Sequence, residues 1–172
     1  MEDTPRIRAR EAGDVEAIAE IFACPSVIAS TLQLPWRPVE ALRERLARYG
    51  PETHGLVAEL EGRVVGMLSW HVETNPRRRH CAGIGMAVHD QFQRRGVGSA
   101  LLHTAIALAD DWLAVLRIEL TVFVDNIAAV RLYERHGFEI EGTARDFAFR
   151  DGTFVDAYTM ARLRSDIAGS TW

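Results

Sequence analysis

Residues Gln93-Arg94-Arg95-Gly96-Val97-Gly98-Ser99 place two glycines and two arginines between an apolar run and a helical pattern. A strand that feeds a helix through such a loop leaves the first helical amides unpaired, at the positive end of the helix dipole. Glycines admit close approach there and arginines add charge, so the chemistry on offer is the binding of an anion such as a phosphate. The local sequence is equally compatible with a glycine turn flanked by two solvated arginines. Its spacing is neither G-x-x-x-x-G-K-[ST] nor G-x-G-x-x-G, which disfavours a mononucleotide or Rossmann dinucleotide site. Cys24 and Cys81 lack metal-ligand spacing, so no metal is expected, and the chain contains no lysine to serve as a catalytic amine.

The chain around this loop must supply a scaffold. Its 172 residues, 48% hydrophobic and 26% charged, suit one compact domain, expected over 1–165 with a flexible tail over 166–172. A net charge of -4 gives no reason to expect nucleic acid, and no apolar run approaches the roughly 20 residues of a membrane span. The amino terminus lacks the apolar core of a secretory signal, so a reducing cytoplasm is the default location.

The elements follow from periodicity. "RIRA" at 6–9 reads as a strand, and Asp14 stands as a helix cap before Val15, Ile18, Ala19 and Phe22. Residues 24–37 have no clean period and read as an ordered loop, followed by a helix in "PVEALRERLARYG". "HGLVAEL", "EGR" and "VVGMLSWHV" make a hairpin, closed by "NPRRR", and 80–88 form a further strand whose glycines suggest a bulge or a close backbone approach. A helix begins at the glycine loop, 115–124 alternates as a core strand, and "DNIAAVRLYERHGF" is a helix capped by Asp125 or Asn126 and ended by Gly137. Two long strands joined at "RDG" complete the chain.

The run Val88 through Gln93-Arg94-Arg95-Gly96-Val97-Gly98 resembles the acetyl-coenzyme A pyrophosphate motif, Q/R-x-x-G-x-G/A, of the GNAT N-acetyltransferases. A second block from Asn126 to Phe138 lies one helix downstream, where that family has one, and "TLQLP", "RIELTVFVDN", "YERHGFEIEGT" and "VDAYTMAR" resemble its bacterial L-amino acid N-acetyltransferase subgroup. The resemblance implies an α/β (α+β) fold: a mostly antiparallel, seven-stranded mixed sheet flanked by about four helices and splayed at an acetyl-coenzyme A cleft. It assigns Met86, Ala87 and Val88 to the pantetheine arm by strand addition, and Gln93, Arg94, Arg95, Gly96, Val97, Gly98 and Ser99 to the pyrophosphate. Asn126 and Ala129 would also contact the cofactor, although Asn126 is equally suited simply to cap its helix.

Tyr133, seven residues beyond Asn126 and about two helical turns away, can face the same cleft and would donate a proton to the departing thiolate. Taken alone it would be an aromatic core residue. The base for the acceptor amine is open among His71, Glu73, His80, Glu119 and a water chain, with His80 preferred because it begins the strand that would hold the acetyl group. Thr31, Gln33, Trp36 and Arg37 are the expected substrate residues, offering hydrogen bonds, an aromatic wall and a carboxylate partner. The expected activity is direct acetyl transfer to the α-amino group of a free L-amino acid. Alternatives are a protein amino terminus, a polyamine, an antibiotic or herbicide amine, or a non-catalytic acyl-coenzyme A sensor. The partner is a small-molecule amine, with a homodimer as a further expectation.

Overall fold

A computed structural model describes residues 4–164; the expected tail over 166–172 lies outside them. Seven strands form one open sheet in the order β1-β2-β3-β4-β5-β7-β6. They are β1 (Arg6–Ala9), β2 (Thr53–Leu60), β3 (Arg63–Val72), β4 (Cys81–Val88), β5 (Arg117–Phe123), β6 (Glu139–Arg150) and β7 (Thr153–Leu163). The helices are α1 (Val15–Ala23), α2 (Pro25–Ser30), α3 (Val39–Ala47), α4 (Val97–Trp112) and α5 (Ile127–Arg135). Two short 3-10 turns, Ala12–Asp14 and Asp90–Phe92, precede α1 and the glycine loop. The sheet is mixed: β4 runs parallel to β5, while β1–β2, β5–β7 and β6–β7 are antiparallel.

The chain divides into two compact units. Among the described residues, one contains 4–70 and 85–105, the other 71–84 and 106–164, and the division falls inside β4 between Ile84 and Gly85. In the first unit, Val15, Ile18, Ile21, Val27 and Leu42 from three helices bury against Val57, Met67 and Ala87 from three strands. Gly66 has a specific task there. A Cβ on it would lie 2.7 Å from Val97 Cγ1 and 3.1 Å from Leu101 Cδ1. Its absence lets the first turns of α4 close directly onto β3, which fixes the glycine loop leading into that helix. The hairpin turn between β2 and β3 has Glu61 and Gly62 at φ 53° and 74°, the primed geometry that matches strand twist.

The second unit is built on β5, β6 and β7. Phe123, Val155 and Ala157 make a buried cluster, with Ala148 packed on it. Asp151 and Gly152 turn β6 into β7 at φ 48° and 79°. α5 ends at Gly137, φ 83°, the left-handed stop expected from the sequence.

Two local expectations are corrected. Residues 24–37 are not all loop, because 25–30 form α2, one of the five helices beside the sheet. Six residues are under two turns, too short to show a period, and Pro25 at the first turn is the only local signal. Asp14 occupies the N-cap position of α1 but makes no cap bond to it. Its carboxylate instead accepts the Glu11 amide at 2.7 Å and both terminal nitrogens of Arg8 at 2.8 Å. A nearly buried carboxylate gains more from a bidentate guanidinium than from one amide.

Candidate active site

β4 carries the first group of candidates. Its parallel ladder with β5 joins Cys81, Ala82 and Gly83 to Arg117, Ile118 and Glu119. The β4–β5 ladder ends at Gly83 and does not include Met86, Ala87 or Val88. Space lies above Gly83 and Gly85, where an added Cβ would meet nothing within 4 Å. The Val88 carbonyl is partly used, accepting Gln93 Nε2 at 3.3 Å.

The glycine loop follows. Arg94 and Gly96 adopt left-handed backbone, φ 61° and 78°, and swing the chain sharply into α4. The Gly96 carbonyl accepts the Ala100 amide at 3.0 Å, which makes Gly96 the cap of α4 and gives its first amides to Val97, Gly98 and Ser99. A Cβ at Gly96 would meet nothing within 4 Å, so the face above the loop is open. These features fit a pyrophosphate. The two arginines are not equivalent, however. Arg95 bonds Glu61 at 2.6 Å and lies 5.2 Å over the Phe92 ring, whereas Arg94 makes no ion pair among the described residues. The Gln93 side-chain amide donates to Ser26 Oγ at 2.8 Å as well as to the Val88 carbonyl at 3.3 Å.

In the second unit, Asn126 caps α5, its Oδ1 accepting the Ala129 amide at 3.3 Å. That bond occupies the Ala129 N–H. Two turns on, Tyr133 is 7% exposed, with its ring 5.7 Å from Phe138. No hydrogen bond to its hydroxyl is made among the described residues, and burial pushes the phenol up to about 12. The ring packs in the core, and burial favours the neutral phenol.

The base candidates are distributed differently. His80 precedes β4 rather than beginning it, and its carbonyl accepts the amides of Leu116 and Arg117 at 2.8 and 3.0 Å. It thus stands at the N-terminal end of β5, while Asn126 lies beyond the C-terminal end, about 20 Å of strand away. The structure does not bring them together. Glu119 is gripped by Arg117 and Arg78, and Arg117 also holds Glu141. Partial burial raises the Glu119 carboxyl, but the guanidinium hydrogen bonds outweigh it and hold the group below the usual carboxylate range. That makes it a poorer proton acceptor. His71 and Glu73 flank the end of β3, where the Glu73 amide donates to the Cys81 carbonyl at 2.9 Å.

The Acetyltransferase (GNAT) family matches residues 15–138, which includes both the glycine loop and the Asn126 helix. This chain belongs to the GNAT acetyltransferases. It is therefore an acetyl-coenzyme A-dependent N-acetyltransferase. The L-amino acid N-acetyltransferase AaaT of Escherichia coli is 48% identical to it over 92% of this chain and 97% of its own length. An N-alpha-acetyltransferase of Sulfurisphaera tokodaii is 31% identical over 91% of each chain. A GNAT phosphinothricin acetyltransferase from Sinorhizobium meliloti, solved with acetyl-coenzyme A, superposes with a TM-score of 0.85 at 20% identity, covering 98% of this chain and 92% of its own. The last likeness concerns the fold alone.

The substrate candidates of this acetyltransferase lie between α2 and α3. Thr31 Oγ1 donates to the Val27 carbonyl at 2.6 Å and accepts the Gln33 amide at 3.2 Å, so it closes α2. Arg37 reaches Gln33 Oε1 at 3.4 Å. Trp36, at φ 57°, is 96% exposed, and Leu32 and Leu34 beside it are also exposed. Ser26 and Asp90 escaped the sequence reading although they tie this region to the glycine loop. They are 64 residues apart and nothing local pairs them. No described helix is long and apolar enough to cross a membrane.

Proposed function

We infer that this enzyme transfers the acetyl group of acetyl-coenzyme A to the α-amino group of a free L-amino acid. The observation that carries this acceptor is the 48% identity, over nearly the full length of both chains, to an enzyme named for that activity. The family match, running from 15 to 138, supports one catalytic domain over 1–165.

When bound, acetyl-coenzyme A supplies the acetyl thioester. The stretch of β4 at Met86, Ala87 and Val88, past the β4–β5 ladder, suits the extended pantetheine arm, pairing backbone to backbone as an added strand would. The amides of 94–99 suit the pyrophosphate, with Arg94 the cation free to join them. Asn126 keeps its Nδ2 hydrogens for a ligand while its Oδ1 caps α5. Gly96 keeps the approach clear.

Tyr133 holds its proton through the working pH range, which supports a role as donor to the departing sulfur. Its value near 12 stands well above the roughly 8.5 of a free thiol, so complete proton transfer is uphill. A hydrogen bond that strengthens as charge builds on sulfur is the role that fits. The commitment of Glu119 to two arginines and the separation of His80 from Asn126 favour a water chain over either side chain as the route for the acceptor proton. Thr31, Gln33, Trp36 and Arg37 form the acceptor loop, with Arg37 matched to the amino acid carboxylate and the exposed Leu32, Leu34 and Trp36 to an apolar side chain.

Thiol release from acetyl-coenzyme A over a panel of free amino acids, polyamines and peptides tests the assignment. Release with apolar or aromatic amino acids, and acetylated product by mass spectrometry, is the expected result. Activity restricted to peptide amino termini would replace it with the N-alpha-acetyltransferase reading that the 31% identical relative suggests. Cofactor binding without turnover on any amine would leave a sensor.

A further inference from the structure

The N-terminus of α2 has no local cap. Cys24 precedes it in extended conformation and makes no side-chain bond to the helix, and Pro25 contributes no N–H. The capping is done from a distance. Asp90, in the 3-10 turn after β4, accepts the Ser26 amide at 3.4 Å through Oδ2 and the Ser26 hydroxyl through Oδ1. The same hydroxyl accepts Gln93 Nε2 at 2.8 Å, and Gln93 also reaches Asp90 Oδ1 at 3.4 Å. Ser26, Asp90 and Gln93 thus form a closed triangle of polar contacts.

Two elements meet in that triangle. Gln93 opens the glycine loop, one residue before the left-handed Arg94. Ser26 lies in the first turn of α2, whose far end is fixed by Thr31 bonding the Val27 carbonyl and the Gln33 amide. Between them α2 is a six-residue rod about 9 Å long, seated through buried Val27 on the cluster that includes Met67 and Ala87. A short rod held at both ends passes a shift at one end to the other.

We propose that Ser26 and Asp90 are positioning residues that register the acceptor loop, 31–37, on the cofactor loop. This rests on the acetyltransferase reading given above. Anchoring the glycine-loop amides on a pyrophosphate anchors Gln93, and through Ser26 the start of α2. The acceptor loop is then held in place by the occupied cofactor loop, so the amine is bound most tightly once acetyl-coenzyme A is present. The coupling is reciprocal, as any equilibrium linkage must be.

Hydrogen exchange with and without acetyl-coenzyme A tests the clasp without relying on turnover. In the parent protein, the cofactor should slow exchange at 94–98 and also at 31–37. In Ser26→Ala the slowing at 94–98 should persist while that at 31–37 is lost. Asp90→Asn should weaken the same transfer, and Ser26→Thr, which keeps a hydroxyl, should restore it. In steady state Ser26→Ala should raise acceptor KM about three- to tenfold with kcat and cofactor Kd within about twofold. Slowing at 31–37 that survives in both Ser26→Ala and Asp90→Asn overturns the clasp. So does slowing at 94–98 alone in the parent. If acetyl-coenzyme A leaves 94–98 unchanged in the parent, the cofactor reading itself fails and the clasp goes with it.

Discussion

Asn126 Oδ1 accepts the Ala129 amide at 3.3 Å, and this bond fixes the start of the helix that carries Tyr133 two turns later. On the proposed reading, one carboxamide has two separable functions, a cap through its oxygen and a donor to the cofactor through its nitrogen. Asn126→Ala should lose about 1 kcal/mol in urea unfolding as the cap disappears. Asn126→Asp keeps an acceptor at the helix start and should recover that stability. It should not recover acetyl-coenzyme A affinity, since the donor hydrogens are gone. Equal recovery of both quantities in a titration would leave Asn126 as a cap only.

Tyr133→Phe preserves the buried ring and its packing on Phe138 but removes the hydroxyl. Folding and cofactor Kd should be retained while kcat falls by about 10²-fold, the lower part of the range for a general acid, because transfer from a phenol near 12 is incomplete. A group protonated up to about 12 contributes no limb to the rate profile between pH 6 and 9. The parent and Tyr133→Phe should therefore give pH profiles of the same shape in that window, displaced vertically.

The glycines of the loop differ in what substitution does. Gly96 sits at φ 78°, where a β-branched residue is strained whatever the space around it, so Gly96→Val should lower both stability and cofactor affinity. Gly98 lies in the first turn of α4 and not among the positive-φ glycines. Gly98→Val should weaken acetyl-coenzyme A binding at least tenfold in calorimetry, with little change in melting temperature. Unaltered affinity in Gly98→Val would remove the pyrophosphate from this loop.

The Arg8–Asp14 pair gives a stability prediction. Asp14 is nearly buried and is held below the usual carboxylate range, chiefly by the Arg8 guanidinium. A depressed carboxyl pKa means that the unfolded chain takes up the proton first as pH falls. The stabilisation is complete above about pH 4 and is lost as pH drops through the folded value. Asp14→Asn should cost about 2 kcal/mol at pH 7. The difference from the parent should shrink as both are unfolded at progressively lower pH.

Much of this fold is legible in the sequence because its punctuation is local. Glu61-Gly62 and Asp151-Gly152 are turn dipeptides that adopt the primed geometry, and Gly137 stops α5 where it falls. The loop residues of the cofactor motif are contiguous, so they could be recognised together. What stayed hidden depends on partners far along the chain. Asp14 turns to Arg8, Arg95 is drawn to Glu61, and α2 is capped by Asp90, none of which leaves a repeating pattern. His80 shows the complementary case. Its neighbours in sequence suggested a strand start, but the carbonyl bonds to Leu116 and Arg117 place it at the end of β5 away from Asn126.

The parallel ladder of β4 and β5 also governs the order in which the chain must assemble. Cys81 pairs with Arg117, 117 − 81 = 36 residues later, whereas β6 and β7 meet across a two-residue turn. Closing a long loop before its contacts form is entropically slow, so the terminal hairpin is expected to form before the parallel pairing. The glycine loop and α4 belong to the intervening stretch, and the loop is seated by the packing of Val97 and Leu101 on β3 at Gly66. A ligand that binds the folded loop and not the unfolded chain adds to native stability. Abundant cofactor should protect the native enzyme from unfolding by mass action while leaving its rate of folding unchanged.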